Sequence, residues 1–132
     1  MAGYSGTPLV AKLGIKPRSR VSFRNEQRGF RALLVGLPPD IIEAKRGTLD
    51  LAVLFVTDFS SLRREFSVLM NRLAPSGALW VSWPKKSSGV ATDLNENLIR
   101  NHGLAEGLVD VKVCAIDETW SGLKFVRRLK DR

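Results

Sequence analysis

Reactive side chains concentrate in two short stretches of this sequence. The first is Trp83-Pro84-Lys85-Lys86-Ser87-Ser88-Gly89, with Thr92 close behind. It offers two cations, two hydroxyls and a flexible glycine. The second is Asp117-Glu118-Thr119-Trp120-Ser121-Gly122, which holds two adjacent carboxylates, two hydroxyls and an indole. Ammonium groups and hydroxyls ahead of a helix start suit a phosphate or carboxylate, because the free N–H groups there favour anions. The order G-x-x-x-x-G-K-[ST] is absent, so this is not a P-loop. Trp83 and Trp120 are the natural stacking walls of such a site. The competing account is structural: Lys85 and Lys86 pair with Asp117 and Glu118, and the pairs hold two loops together without catalysis.

Other reactive groups are weaker candidates. His102 is the only histidine, and it falls near a helix C-terminus, where a cation suits the dipole. One histidine without a neighbouring acid or cysteine makes neither a triad nor a His-rich metal site. Cys114 lies among Val111, Val113 and Ile116 and reads as an inert packed thiol. Asp93 reads as a helix cap. Tyr4-Ser5-Gly6 precedes the first helix, as either a flap over a ligand or a flexible end.

The elements that position these loops follow from apolar spacing. Thr7-Pro8 opens a short helix as N-cap and first helical residue, and Gly14 closes it. Arg20 to Arg24 reads as a strand, and Phe30, Leu33 and Leu34 as a helix stopped at Gly36. Ile41 and Ile42 mark a second strand, with Glu43 inside it. Leu49 to Val56 is a nearly continuous apolar run, as expected of a strand buried on both faces of a parallel sheet. Asp58 caps a helix whose stripe is Leu62, Phe66, Leu69, Met70 and Leu73, ended by Ala74 to Gly77. Ala78 to Trp83 is the next strand. Asp93-Leu94-Asn95-Glu96 has capping-box spacing, and its helix ends near His102-Gly103. Val109 to Ile116 and Leu123 to Leu129 form a closing hairpin, because the connection between them is too short for a parallel crossover. This order predicts an α/β, Rossmann-like, mostly parallel sheet of about six strands. Helices cover both faces, and the C-terminal hairpin adds an antiparallel strand.

Composition bounds the rest. The 132 residues fit one domain, residues 1–132, with 1–14 as an N-terminal helical segment. One cysteine excludes a disulfide framework and points to a reducing, cytoplasmic setting. No apolar run approaches the roughly 18–20 residues of a membrane span. The net charge is +8, from 21 Lys+Arg against 13 Asp+Glu. Lys12 to Arg31 carries seven cations and one acid, and Lys124 to Arg132 carries five and one.

Two resemblances add to this reading. Leu49–Trp83, with its Asp-Leu-x-Val-Leu strand, a helix and Leu-Ala-Pro-Ser-Gly-Ala-Leu-Trp-Val, resembles the middle of a class I methyltransferase-like Rossmann sheet. That resemblance implies a trimmed sheet, one strand–helix unit short. The stretches Gly3–Leu9, Leu79–Leu94 and Gly107–Lys124 resemble a family of small bacterial proteins known as a domain of unknown function. This second resemblance implies the fold and a bacterial origin, and brings no activity.

The cofactor signals of the first family are thin here. The loop after the first strand, Asn25-Glu26-Gln27-Arg28-Gly29, has one glycine and no G-x-G-x-x-G. Lys45-Arg46 stand where an acid usually grips the ribose. Both departures speak against S-adenosylmethionine and NAD, and no cofactor or metal is expected. The first expectation is a non-catalytic or degenerate Rossmann-like module binding an anionic small molecule or nucleotide at Trp83, Lys85, Lys86, Ser87, Ser88, Thr92, Asp117, Glu118, Thr119 and Trp120. A protein-interaction module ranks second and nonspecific nucleic-acid binding third, because the cations are spread along the chain. A methyltransferase-like enzyme is the remaining alternative, and the oligomeric state is left open.

Overall fold

The computed structural model describes residues 6–132. Gly3, Tyr4 and Ser5, read above as part of a motif, lie outside the described residues. Twelve segments follow one another: α1 (Leu9–Leu13), β1 (Arg20–Arg24), α2 (Phe30–Leu33), β2 (Ile42–Glu43), β3 (Leu49–Phe55), α3 (Phe59–Met70), β4 (Leu73–Pro84), a 3-10 turn (Lys86–Ser88), α4 (Glu96–Glu106), β5 (Leu108–Ala115), β6 (Trp120–Arg127) and a last 3-10 turn (Leu129–Asp131). One six-stranded sheet results, in the order β2-β1-β3-β4-β6-β5. β2, β1, β3 and β4 pair in parallel, and β6 runs antiparallel to both β4 and β5. The expected α/β sheet with its antiparallel closing strand is therefore present.

The apolar runs are explained by burial on both faces. Leu54, Val81, Leu123 and Phe125 point to one side, where Leu62, Phe66 and Leu69 of α3 and Ile99 of α4 cover them. Val21, Leu51, Val53, Phe55 and Trp80 point to the other, under Val10 and Leu13 of α1 and Phe30 of α2. Each fully buried Leu, Val or Phe contributes about 1.5–3 kcal/mol, so two such layers explain why the fold needs no staple. Trp80 also ties the short α1 to the sheet, its indole N–H donating to the Leu13 carbonyl at 3.0 Å. No helix of the described residues is long and apolar enough to cross a membrane.

Several boundaries differ from those expected. Pro8 is the N-cap of α1, not its first residue. Leu73 belongs to β4, where it pairs with Leu49; α3 stops at Met70. Ala74 to Gly77 form an irregularity inside the strand, because Ala78 takes up the next pairing with Leu51. Glu43 is the last residue of β2 rather than an interior one. α4 runs through His102-Gly103 to Glu106, and Gly107 at φ +105° ends it. Gly103 is inside the helix because Phe125 occupies the place a side chain would need. The hairpin connection is shorter than Asp117–Gly122, since β6 already begins at Trp120.

Candidate functional site

Parallel strands β3 and β4 end side by side, and the chain leaves both toward helices. Asp58 caps α3 by accepting the Ser61 amide at 2.7 Å. Asp93 does not cap α4. It reaches back and accepts the Phe59 amide at 2.9 Å, so two carboxylates serve the start of α3. The cap of α4 is Asn95, whose Oδ1 accepts the Leu98 amide at 2.8 Å. Thr92 links the two ends: its hydroxyl donates to the Thr57 carbonyl at 2.5 Å and accepts the Leu94 amide at 3.0 Å.

The loop after β4 is bound to the hairpin by the backbone. The Lys85 amide donates to the Thr119 carbonyl at 2.7 Å, and the Lys85 ammonium donates to the Asp117 carbonyl at 2.8 Å. The Asp117 carboxylate turns the other way and accepts the amides of Thr119 and Trp120 at 2.8 and 2.7 Å. Among the described residues no ion pair joins Lys85 or Lys86 to Asp117 or Glu118. The two loops do meet, but through backbone carbonyls of the hairpin that accept the Lys85 amide and ammonium rather than through side-chain charge pairs. Ser88 closes the 3-10 turn, its hydroxyl donating to the Lys85 carbonyl at 2.6 Å. Lys86, Ser87 and Glu118 are exposed.

A cavity of about 490 Å³ opens between the end of β4 and the start of α4. Trp83, Lys85, Lys86 and Thr92 line it, as do Asn95, Glu96 and Ser121. Ser87, Ser88, Asp117, Glu118, Thr119 and Trp120 are not in its lining. Trp83 pairs with Ser121 and Pro84 with Trp120, so alternation along β4 and β6 sends the two tryptophans to opposite faces. They cannot sandwich one ligand. Ser121 was legible only once that register was known, and it accompanies Trp83 on the cavity side. Glu96 is engaged by Arg100 and Asp93 by the Phe59 amide. Lys86 has no hydrogen bond or ion pair among the described residues, which makes it the cavity's uncommitted charge.

At the crevice between β1 and β3 the chain reverses its direction of winding, where open α/β sheets bind ligands. Aromatic rings fill this region. Phe23, Phe30, Phe55 and Trp120 form an edge-to-face row with centroids 5.4, 5.0 and 5.3 Å apart. The Asn25 amide bridges from the end of β1 to the Phe55 carbonyl at 3.2 Å. Glu43, at the end of β2, is held by both terminal nitrogens of Arg31. That pairing, with Glu26, raises the guanidinium pKa of Arg31.

The remaining reactive groups are embedded in packing. His102 sits edge-on to Phe59 and Phe66 with centroids 5.6 and 5.1 Å away, and burial pushes its pKa down. Burial pushes the Cys114 thiol up, away from the nucleophilic thiolate. Among the described residues no group of three or more His, Cys, Asp or Glu side chains is placed to hold a metal.

No family model and no curated protein matches the chain. Solved structures share its fold. A protein from Thermoplasma acidophilum assigned as a methyltransferase superposes with a TM-score of 0.59 at 7% identity, covering 95% of this chain and 76% of its own. Fibrillarin, a pre-rRNA processing protein of Methanococcus jannaschii, gives 0.56 at 12% identity, with 93% and 70% covered. Magnesium protoporphyrin IX methyltransferase from Synechocystis PCC 6803, solved with bound SAM, gives 0.50 at 16% identity, with 91% and 74% covered. At these identities the likeness establishes a methyltransferase-like Rossmann fold.

Proposed function

We propose that this chain is a cytoplasmic, non-catalytic module of methyltransferase-like fold that binds an anionic small molecule or nucleotide beside Trp83 and Lys86. The observation that carries the reading is the cavity of about 490 Å³ at the carboxyl ends of the strands, with an indole wall and an uncommitted ammonium on its rim. That volume lies within the range of small-molecule sites. Lys85 holds the loop in place, and Lys86 meets the ligand's negative charge. Ser121 supplies a hydroxyl at the wall, whereas the Thr92 hydroxyl is spent on the Thr57 carbonyl and the Leu94 amide and shapes the rim. The stretches that resemble the small bacterial family include both loops, which is in keeping with a shared site there.

S-adenosylmethionine, the group this fold implies, does not fit the residues present. Its expected crevice is packed with Phe30 and Phe55, each 2% exposed, and strapped by Asn25. The acid at the end of β2 already serves Arg31.

Thermal unfolding with inorganic phosphate, citrate, ATP and S-adenosylmethionine tests this reading. A ligand near 100 times its Kd adds about 2.7 kcal/mol, which is a rise of several degrees in Tm. We expect a phosphate- or carboxylate-bearing compound to give that rise, and Lys86→Ala to abolish it. No shift with any of them, or a shift only with S-adenosylmethionine that Lys86→Ala leaves intact, sinks the proposal.

A further inference from the structure

The +8 charge is not spread over the folded molecule as it is along the sequence. Lys16, Arg18 and Arg20 before and at the start of β1, Arg127, Arg128, Lys130 and Arg132 at the end of β6, and Lys45, Arg46 and Arg72 ahead of β3 and β4 lie at the amino-terminal edge of the sheet, opposite the cavity beside Trp83. Three arginines there are anchored on backbone carbonyls. Arg20 donates to the Thr48 and Arg46 carbonyls, both at 2.8 Å. Arg72 donates to the Gly47 and Ala44 carbonyls, both at 2.9 Å. Arg127 donates to the Met70 and Leu73 carbonyls at 2.9 and 3.0 Å, on either side of Arg72. Arg132 in turn reaches the Arg127 carbonyl at 3.0 Å.

A carbonyl fixes a guanidinium without cancelling its charge. The described ion pairs of arginine lie elsewhere: Arg24 with Glu65, Arg31 with Glu26 and Glu43, Arg100 with Glu96 and Asp110. The acids near the basic edge do not neutralise it by ion pairs among the described residues, exposed Asp131 included. Asp40 accepts the Arg18 amide and Asp50 the Arg20 amide. Exposed Lys45 and Arg46 project from the loop that Arg20 and Arg72 grip.

The basic surface continues onto one face. Lys16, Arg18 and Lys124 line a polar cavity of about 360 Å³ with Ser19, Asp50 and Ser76. Lys124 stands directly opposite Lys112 across β5 and β6, a like-charge pair that is unfavourable unless an anion relieves it. Burial and the charges of Lys112 and Lys16 hold the Lys124 pKa below the ordinary lysine value.

We propose that this amino-terminal edge docks the phosphodiester backbone of a nucleic acid. Strands β1, β3, β4 and β6 are neighbours, so a row of cations from Arg20 to Arg127 spans three strand spacings, roughly 14 Å. A single phosphate engages one or two of these groups, whereas a strand with a charge about every 3.4 Å engages the whole row. The arginines are already held in place, so little side-chain entropy is lost on contact.

Fluorescence anisotropy with labelled single-stranded RNA and duplex DNA of roughly 20 nucleotides tests the proposal between about 50 and 200 mM salt. The variant Lys16→Gln/Lys45→Gln/Arg46→Gln removes three exposed cations and leaves the carbonyl-bound arginines intact. A charge-matched control is Arg28→Gln/Arg63→Gln/Arg64→Gln, on other surfaces. We expect salt-dependent binding of at least one polymer, about a tenfold or greater loss in the edge variant, and a salt slope shallower by roughly two to three. The control should lose much less. The polymer bound more tightly identifies the partner class. Equal losses in both variants, no binding by wild type near 50 mM salt, or binding to phosphatidylserine vesicles with none to either polymer overturns the proposal.

Discussion

Gly103 in α4 stands directly against the ring of Phe125 in β6: a Cβ built on the glycine lies 2.0 Å from Phe125 Cε1. The contact sets how closely α4 approaches the sheet. Phe125 is fully buried and packs on Phe66 with centroids 5.4 Å apart, so its ring has nowhere to retreat. Intrinsic helix propensity favours alanine over glycine by about 1 kcal/mol. Overpacking a filled core costs about 1–3 kcal/mol, and more where backbone must shift. We expect Gly103→Ala to destabilise the fold by about 1–2 kcal/mol net, read as a lower urea midpoint at unchanged slope. A midpoint equal to or above wild type would refute the contact.

Trp80 should behave as a clasp for α1. Its indole N–H is the partner of the Leu13 carbonyl, and the side chain is fully buried. Trp80→Phe leaves that carbonyl unpaired and a void beside it, for an expected loss of about 2–4 kcal/mol. Limited proteolysis gives an independent readout, with faster cleavage within Leu9–Ile15. A variant that loses stability while α1 stays fully protected argues against the clasp.

The two acceptors before α4 serve different helices, and amide exchange separates them. Asn95→Ala should expose the Leu98 amide and cost about 1 kcal/mol. Asp93→Ala should speed exchange at Phe59 and leave Leu98 unchanged. If Asp93→Ala instead exposes Leu98, the capping assignment is wrong.

These same residues show what a one-dimensional reading can and cannot reach. β3 was legible because burial on both faces leaves an unbroken apolar run from Leu51 to Phe55. Asp58 was legible because a cap is a local contact with the amide three residues on. Gly103 was not, because its reason is Phe125, twenty-two positions away, and a glycine that admits a ring looks like one that ends a helix. Asp93 was misassigned for a similar cause: its partner is Phe59, on a different helix. Both loops of the candidate site were found from their composition. Their side chains were not resolved onto faces, because Trp83 and Trp120 take opposite sides only through the β4–β6 register. The basic edge was hidden most completely. Arg20, Arg72 and Arg127 are far apart in sequence, and only the strand order of the folded sheet brings them to one edge.

His102 gives the last prediction, with a sign that follows from its surroundings. Burial among Phe59 and Phe66 lowers its pKa, Glu106 at 3.6 Å works in the opposite direction, and Arg63 adds to the lowering. The folded protein therefore holds the imidazole neutral at a pH where the unfolded chain, near 6.5, has begun to take up a proton. The unfolded state binds more protons as pH falls, so stability is fully present above about 6.5 and declines below it, toward the lowered folded pKa. Replacing the imidazole by an amide that cannot titrate removes this contribution. Denaturant midpoints of wild type and His102→Gln, compared between pH 8 and pH 5, should converge at the acid end: roughly, the variant is less stable at pH 8 through lost packing, and its deficit shrinks as wild type pays the protonation penalty. Parallel curves across that range would show that His102 does not titrate differently in the two states.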